Sequence, residues 1–238
     1  MAITALQRDL LARLKADYNH GLTSAEASER RNEDNYGGLN NVRPPLNCPK
    51  WVCCLLPCIN HIPSMKQFRL IQPDDAEVLR DDKWIRYDHT SLVIGDILRL
   101  VEGDIIPADC TVISLGMDHV DATIIDEEEG GSSSSNEINN TDELTVDSHL
   151  ITGEGKPRQI ISNASNGTVN SETLYYGSRV LEGACIAVVT ATGSRVVLAK
   201  LIKEGRWPPR EDLSEEAEEI NRMENEDMES GIALTSMS

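Results

Sequence analysis

The apolar positions of the chain follow two rhythms. Between residues 3 and 17 they recur at helical spacing, with Leu6, Leu10 and Leu14 at i, i+4 and i+8 and Leu11 widening the stripe. Thr4 and Gln7 stand at the spacing of a capping box, which predicts the helix start. A second helix is predicted from Ser24 to about Asn35, opened by a box of Thr23 and Glu26 and stopped by Gly37-Gly38 and Pro44-Pro45. From Arg69 onward the rhythm shortens to that of strands. Ala76 to Arg80 and Lys83 to Tyr87 flank a turn at Asp81-Asp82 and predict a hairpin. Ile97 to Val101 is a strand turned by Gly103-Asp104, and Cys110 to Leu115 alternates as a buried one does. Gln159 to Ile161 resumes the strand texture. Thr173 to Val180 and Gly183 to Thr190 predict a hairpin across Glu182-Gly183. The run Ala184 to Val189 is almost wholly apolar, which predicts a strand buried on both faces. Val196, Val197, Ala199, Leu201 and Ile202 then begin a closing helix.

Three stretches break these rhythms. Met117 to Thr141 holds Glu127-Glu128-Glu129 and four serines, Ser132 to Ser135, and reads as a mobile acidic surface loop with little to bury. Residues 211–229 are dense in Asp and Glu around a weak stripe of Leu213, Ala217, Ile220 and Met223. That pattern fits a solvated tail, or a helix docking on a basic partner. Between Pro45 and Gln72 lie Cys48, Trp51, Cys53, Cys54, Leu55, Leu56, Pro57, Cys58 and His61. Three readings fit this segment: a compact loop burying small apolar side chains, lipid anchoring by S-acylation at Cys53, Cys54 and Cys58, or a metal site of Cys48, Cys53, Cys58 and His61.

Composition narrows the function classes. The 238 residues carry 22 Lys+Arg against 40 Asp+Glu, a formal net charge of -18, which argues against nucleic acid and against adsorption to anionic lipid. With a single phenylalanine, the core has to come from Val, Ile and Leu. Met1 to Asp17 is charged throughout and reads as no secretory signal. No apolar run reaches the roughly 20 residues of a membrane helix. Six cysteines without a signal peptide predict a reduced, cytosolic setting.

The candidate chemistry centres on Thr152-Gly153-Glu154-Gly155, approached by Leu150 and Ile151 and closed by Pro157. Two glycines that permit positive φ flank one carboxylate, which predicts a tight loop with Glu154 at its tip. Lys156 and Arg158 beside it read either as phosphate-steering groups or as solvated flanks. Asp96, Asp104 and Asp109 read as turn-forming residues, and His89, His119 and His149 show no ligand or catalytic spacing.

Upstream of the loop stand Leu92-Val93-Ile94-Gly95-Asp96 and Gly103-Asp104-Ile105-Ile106-Pro107-Ala108-Asp109. Downstream stand Tyr176-Gly177-Ser178-Arg179-Val180 and Ala191-Thr192-Gly193-Ser194-Arg195. This ordered set resembles the actuator domain of P-type cation-transporting ATPases over residues 69–203, and Gly21 to Ala27 resembles that family's amino-terminal segment. Gly155 stands where the family usually has serine, and Arg31 where it usually has leucine. The resemblance implies a mainly β fold, a distorted, jelly-roll-like β-sandwich from about residue 69 to 190 with flanking helices. It implies four divisions: a helical segment at 1–44, the Cys-rich stretch 45–68 in place of membrane helices, the actuator-like domain 69–203 with its insert at 117–143, and an acidic tail at 204–238.

The resemblance also assigns the site. Thr152, Gly153 and Glu154 match the loop whose glutamate positions the water that hydrolyses an aspartyl-phosphate. The sequence contains no D-K-T-G motif and no phosphate-binding G-x-x-x-x-G-K-[ST] loop, so by itself it is not expected to run an ATPase cycle. The family's ATP and Mg²⁺ bind on other domains, and no cofactor is expected on this chain. Three classes follow: the actuator portion of a cation pump, beside membrane domains that carry the aspartyl-phosphate; a free-standing actuator-like module docking on a pump or other partner; and a phosphatase acting in trans through Glu154. The expected location is the cytosolic face of a membrane, reached through the partner or through acylated Cys53, Cys54 and Cys58.

Overall fold

The computed structural model describes residues 4–33, 38–46, 62–116, 143–162 and 172–209. The readings made for Cys48, Cys53, Cys54, Cys58 and His61, for His119 and the insert at 117–143 up to residue 142, and for the tail from 210 lie outside the described residues; Glu143 begins a strand. The rest is mainly antiparallel sheet. Strands β1 (Asp75–Arg80), β2 (Lys83–Asp88), β3 (Ile97–Val101), β4 (Asp109–Leu115), β7 (Thr173–Leu174) and β9 (Ala184–Ala191) form a sheet in the order β2-β1-β3-β9-β4-β7. Strands β5 (Glu143–Asp147), β6 (Arg158–Ile161) and β8 (Arg179–Glu182) form a second sheet in the order β6-β5-β8. Val78, Leu98, Leu100, Val112, Ala187 and Val189 of the first sheet meet Leu144, Val146, Ile160 and Val180 of the second in one buried cluster, so the sandwich expected from the sequence is the fold.

The middle of the large sheet is apolar on both faces. Cys185, Ala187 and Val189 of β9 point into the sandwich, while Ile186 and Val188 point outward beside Leu79, Ile97 and Ile113. That outer face is covered by helix α1 (Ala5–Leu14), whose Leu11 is buried there with Leu10 and Leu14 partly buried. Its capping box forms as expected, with Thr4 Oγ1 accepting the Gln7 amide at 3.1 Å and Gln7 Oε1 accepting the Thr4 amide at 2.9 Å. The predicted stripe is rotated, however. Leu6 is 66% exposed and Gln7 takes the buried position, because its amide donates at 2.9 Å to Ile113 O, at a register shift in the β4–β9 pairing.

The predicted β1–β2 hairpin forms, pairing Asp75 with Asp88 through Arg80 with Lys83. The predicted hairpin across Glu182-Gly183 does not. β7 pairs with β4, β8 with β5, and β9 lies between β3 and β4, so the chain changes sheets twice within that stretch. The cause is burial. Six apolar residues of β9 need the centre of the large sheet, whereas β8, with only Val180 buried, suits an edge of the small one. Helix α3 (Pro63–Leu70) was not foreseen; it opens with proline in its first turn and buries Met65 and Phe68.

Helix α2 (Ser24–Asn32), with the expected Thr23–Glu26 box, locks the amino-terminal segment onto the sheets. Ala27 packs with Leu22 and Val93, and the buried Arg30 donates to Leu14 O, Lys15 O and Ile94 O at 3.0, 2.7 and 2.7 Å. The guanidinium thereby satisfies carbonyls at the end of α1, where the helix dipole also favours a cation. Arg31 is half-buried and donates to Ser91 O at 3.0 Å. Gly95 makes room for Arg30. Its φ is +94°, and a Cβ there would stand 2.2 Å from Arg30 Nη1.

Asp96 is more than a turn residue. Alongside the Val93 amide it takes both arms of the buried Arg80, at 2.9 and 2.6 Å. Burial opposes the Arg80 charge, but hydrogen bonding and attraction to Asp96 hold its pKa above the ordinary arginine value. Asp104 behaves as expected, accepting the Val101 amide at 2.9 Å across its turn.

Arg30→Ala should destabilise the chain by about 2–4 kcal/mol, because three carbonyls lose their donor. Gly95→Ala should cost a similar amount. Combined, the two should cost less than their sum in urea denaturation, because the closest clash at Gly95 is with the side chain that the other change removes, while the strain of positive φ and the 3.1 Å approach to Leu14 O remain.

Candidate functional site

The loop singled out in the sequence stands at the end of a one-turn helix. β5 ends at Asp147, whose Oδ1 accepts the His149 amide at 2.9 Å, and the chain turns directly into α4 (His149–Thr152). Apolar burial holds α4 in place. Ile151 is buried among Phe68 of α3, Tyr176, Trp207, and Val196 and Leu198 at the start of α5 (Val197–Lys203), with Leu150 partly buried beside it. Trp207 donates Nε1–H to Leu150 O at 2.6 Å, and below the helix Ser178 Oγ donates to Ser148 Oγ at 3.0 Å.

Gly153 ends the helix with φ 76°, its amide bonded to His149 O at 2.8 Å. An L side chain in this left-handed conformation would cost about 1–2 kcal/mol, and a Cβ would also stand 3.3 Å from Pro209 Cβ. Of the two glycines expected to use positive φ, only Gly153 does so; Gly155 does not, and a Cβ there would meet open space. Thr152 Oγ1 donates to Ser148 O at 3.1 Å and accepts the Glu154 amide at 3.3 Å, tying the tip back to the helix base.

Glu154 is the exposed tip. Its side chain is 52% accessible, and both carboxylate oxygens stand 3.5 Å from Nη2 of Arg158. Thr152, Gly153 and Glu154 are thus a tether, a turn and a presented carboxylate. Lys156 is exposed beside them, while Arg158 is half-buried and paired. The sequence reading left Arg158 open between two roles, although its i, i+4 spacing to Glu154 was the available signal. No comparable local signal marked Trp207 or the Ser148–Ser178 contact.

Asp109 is the support that the turn reading missed. It is buried at the head of β4, where one oxygen accepts the Tyr176 amide at 2.9 Å and the other accepts the Val197 amide at 2.7 Å. It therefore joins the large sheet to two elements that pack on Ile151. Burial pushes its carboxyl up to about 6, against the pull of the two amides and of Lys200. Among the described residues no three His, Cys, Asp or Glu side chains gather as metal ligands would.

Comparison with known proteins decides the family. The family model of the P-type ATPase actuator domain matches residues 70–131 and 135–205, more than half of the chain. The chain belongs to that family. The actuator chain is 23% identical over 139 residues to the sodium/potassium-transporting ATPase subunit alpha-4 of Rattus norvegicus, covering 58% of this chain and 11% of that protein. It is 24% identical over 152 residues to subunit alpha-1 of the same ATPase from Catostomus commersonii, covering 60% and 12%. It spans about a tenth of the length of these curated relatives. A solved structure of a zinc-transporting PIB-type ATPase in its E2.Pi state superposes with a TM-score of 0.39 at 15% identity, over 58% of this chain and 17% of that one.

The Asp109 strut makes a pH-dependent prediction. The ordinary carboxyl value of 3.8 applies to the unfolded chain, so the folded protein binds this proton more tightly. The group's share of stability is complete below that value and is lost as the pH rises through about 6. Compared with Asp109→Asn, which cannot titrate, the unaltered chain should gain about 2–3 kcal/mol between neutral pH and pH ~4 in parallel urea denaturations.

Proposed function

We propose that this chain is the actuator portion of a P-type cation-transporting ATPase, in which Glu154 promotes hydrolysis of an aspartyl-phosphate carried by a partner domain. The observation that supports this most directly is the presentation of Glu154: an exposed carboxylate two residues beyond a helix whose Ile151 is buried. Hydrolysis needs a water in line with the P–O bond to the aspartate. It also needs a group that orients this water and takes up its proton as the bond to phosphorus forms. A carboxylate at a protruding tip can reach into a partner's phosphate site and do both. The Asp–phosphate bond then breaks, leaving a carboxylate and inorganic phosphate.

Thr152 and Gly153 support this role by shape. Thr152 ties the tip to the helix base, and Gly153 supplies the reversal that points residue 154 outward. The aspartyl-phosphate, ATP and Mg²⁺ belong in this reading to other domains of the pump. The chain works at the cytosolic face of the membrane, held by the pump's membrane domain or through acylated Cys53, Cys54 and Cys58. Among the described residues no helix is long and apolar enough to cross a membrane.

The experiment places the whole chain in a cation pump in place of that pump's own actuator domain and follows phosphoenzyme decay. Glu154→Gln keeps the shape of the side chain but removes the carboxylate. Stability should change by no more than about 0.5 kcal/mol, as for an exposed site. The phosphoenzyme should persist and accumulate. A phosphoenzyme lifetime unchanged by Glu154→Gln would contradict the proposed role.

A further inference from the structure

An exposed carboxylate at a loop tip has three rotatable side-chain bonds, yet orienting a water requires a defined direction. We propose that Arg158 is the positioning residue of the T-G-E loop: its half-buried guanidinium holds the Glu154 carboxylate in the orientation from which it acts. The inference rests on the reading of Glu154 given above and adds to it a residue that the loop motif does not include.

The two side chains are anchored unequally. Glu154 makes one ion pair among the described residues, with Arg158, through both oxygens at 3.5 Å from Nη2. Arg158 is held from several sides. Its backbone is the first residue of β6, in register with Val146 of the central strand of the small sheet. Its Nη1 lies 3.5 Å from Thr173 O and 3.9 Å from Glu172 Oε2, and its guanidinium carbon lies 5.8 Å from the centre of the Tyr175 ring. The side chain is 28% accessible, against 52% for Glu154. The arginine is fixed by the sheets, and the glutamate is fixed by the arginine.

The chemistry suits this division. A guanidinium is planar and presents separate N–H groups, so Nη1 can face the Glu172 and Thr173 side while Nη2 faces Glu154. The 3.5 Å separations to Glu154 exceed the 2.7–2.9 Å typical of a tight charge-assisted bond. Such a contact sets direction while leaving carboxylate lone pairs for a water. Lysine at this position would keep the charge but could not face both sides at once, so it should act as a partial substitute.

The test uses the pump carrying the whole chain and compares Arg158→Ala, Arg158→Lys, Glu154→Gln and the double variant Arg158→Ala with Glu154→Gln. NMR relaxation of the Glu154 side chain in the isolated 238-residue chain accompanies the kinetics. Arg158→Ala should slow phosphoenzyme decay by about tenfold or more, Arg158→Lys should restore part of the rate, and the Glu154 side chain should become more mobile in Arg158→Ala. In the Glu154→Gln background Arg158→Ala should have little further effect, because it acts through that carboxylate. Decay that is unchanged or faster in Arg158→Ala overturns the inference, the faster case marking Arg158 as a latch that Glu154 must leave. Equal slowing with and without the carboxylate also overturns it, since the effect would then be on loop structure alone. If Glu154→Gln slows decay and Arg158→Ala does not, only the role of Arg158 falls. If Glu154→Gln itself leaves decay unchanged, the reading of Glu154 falls and takes this inference with it.

Discussion

Strand β9 carries apolar side chains on both faces, and most of the fold follows from the need to cover both. One face is covered by the small sheet, through Leu144, Val146, Ile160 and Val180; the other is covered by α1, through Leu11. A strand of this kind is stable only in the interior of a sheet, here between β3 and β4, and that position forces the chain to change sheets on either side of β8. The end of β9 pairs with Asp109 at the head of β4, a strand buried at all seven positions, so the strut that receives the Tyr176 and Val197 amides starts from the interior of the sheet. The rigidity of the sheet core passes through Asp109 to the cluster around Ile151, and from there to the base of the T-G-E loop.

Much of this was legible in the sequence where the signal is local. The β1–β2 hairpin, β3, β4, the two capping boxes and the doubly buried β9 all follow from spacing within a few residues. The failures are those in which distant residues decide. Asp109 reads as a turn residue because its partners lie 67 and 88 positions away. The supposed hairpin at Gly183 fails because β8 finds its partner in β5, a choice made by which edge can expose Arg179 and Glu182. Leu6 loses the core position to Gln7 because a register shift in β4 leaves a carbonyl in need of a donor. The helix Pro63–Leu70 had its own local signals, a first-turn proline and Met65 with Phe68, which the neighbouring Cys-rich stretch obscured.

The candidate site divides in the same way. The tip was legible because glycine, carboxylate and proline carry local conformational meaning, and its family context came from motifs in a fixed order. Its support was not legible. Trp207 reaches the loop from beyond α5, and Tyr176 and Ser178 reach it from the turn between β7 and β8, all far from it in sequence; only Arg158 had a local signal, its i, i+4 spacing to Glu154. Membership in the actuator family accounts for the motif set, while the packing explains how an exposed glutamate is presented from a buried base.

That separation between a fixed base and an exposed tip is the central claim, and amide hydrogen exchange on the whole chain tests it most directly. The amides of Ile151, Thr152 and Gly153, bonded to Ser148 O and His149 O, should exchange slowly and together with those of Tyr176 and Val197 on Asp109. Those of Gly155 and of Glu154, the latter held only by the exposed 3.3 Å bond to Thr152 Oγ1, should exchange much faster. Exchange of Ile151 to Gly153 as fast as that of Glu154 would contradict the account, because the loop would then have no fixed base from which to present its carboxylate.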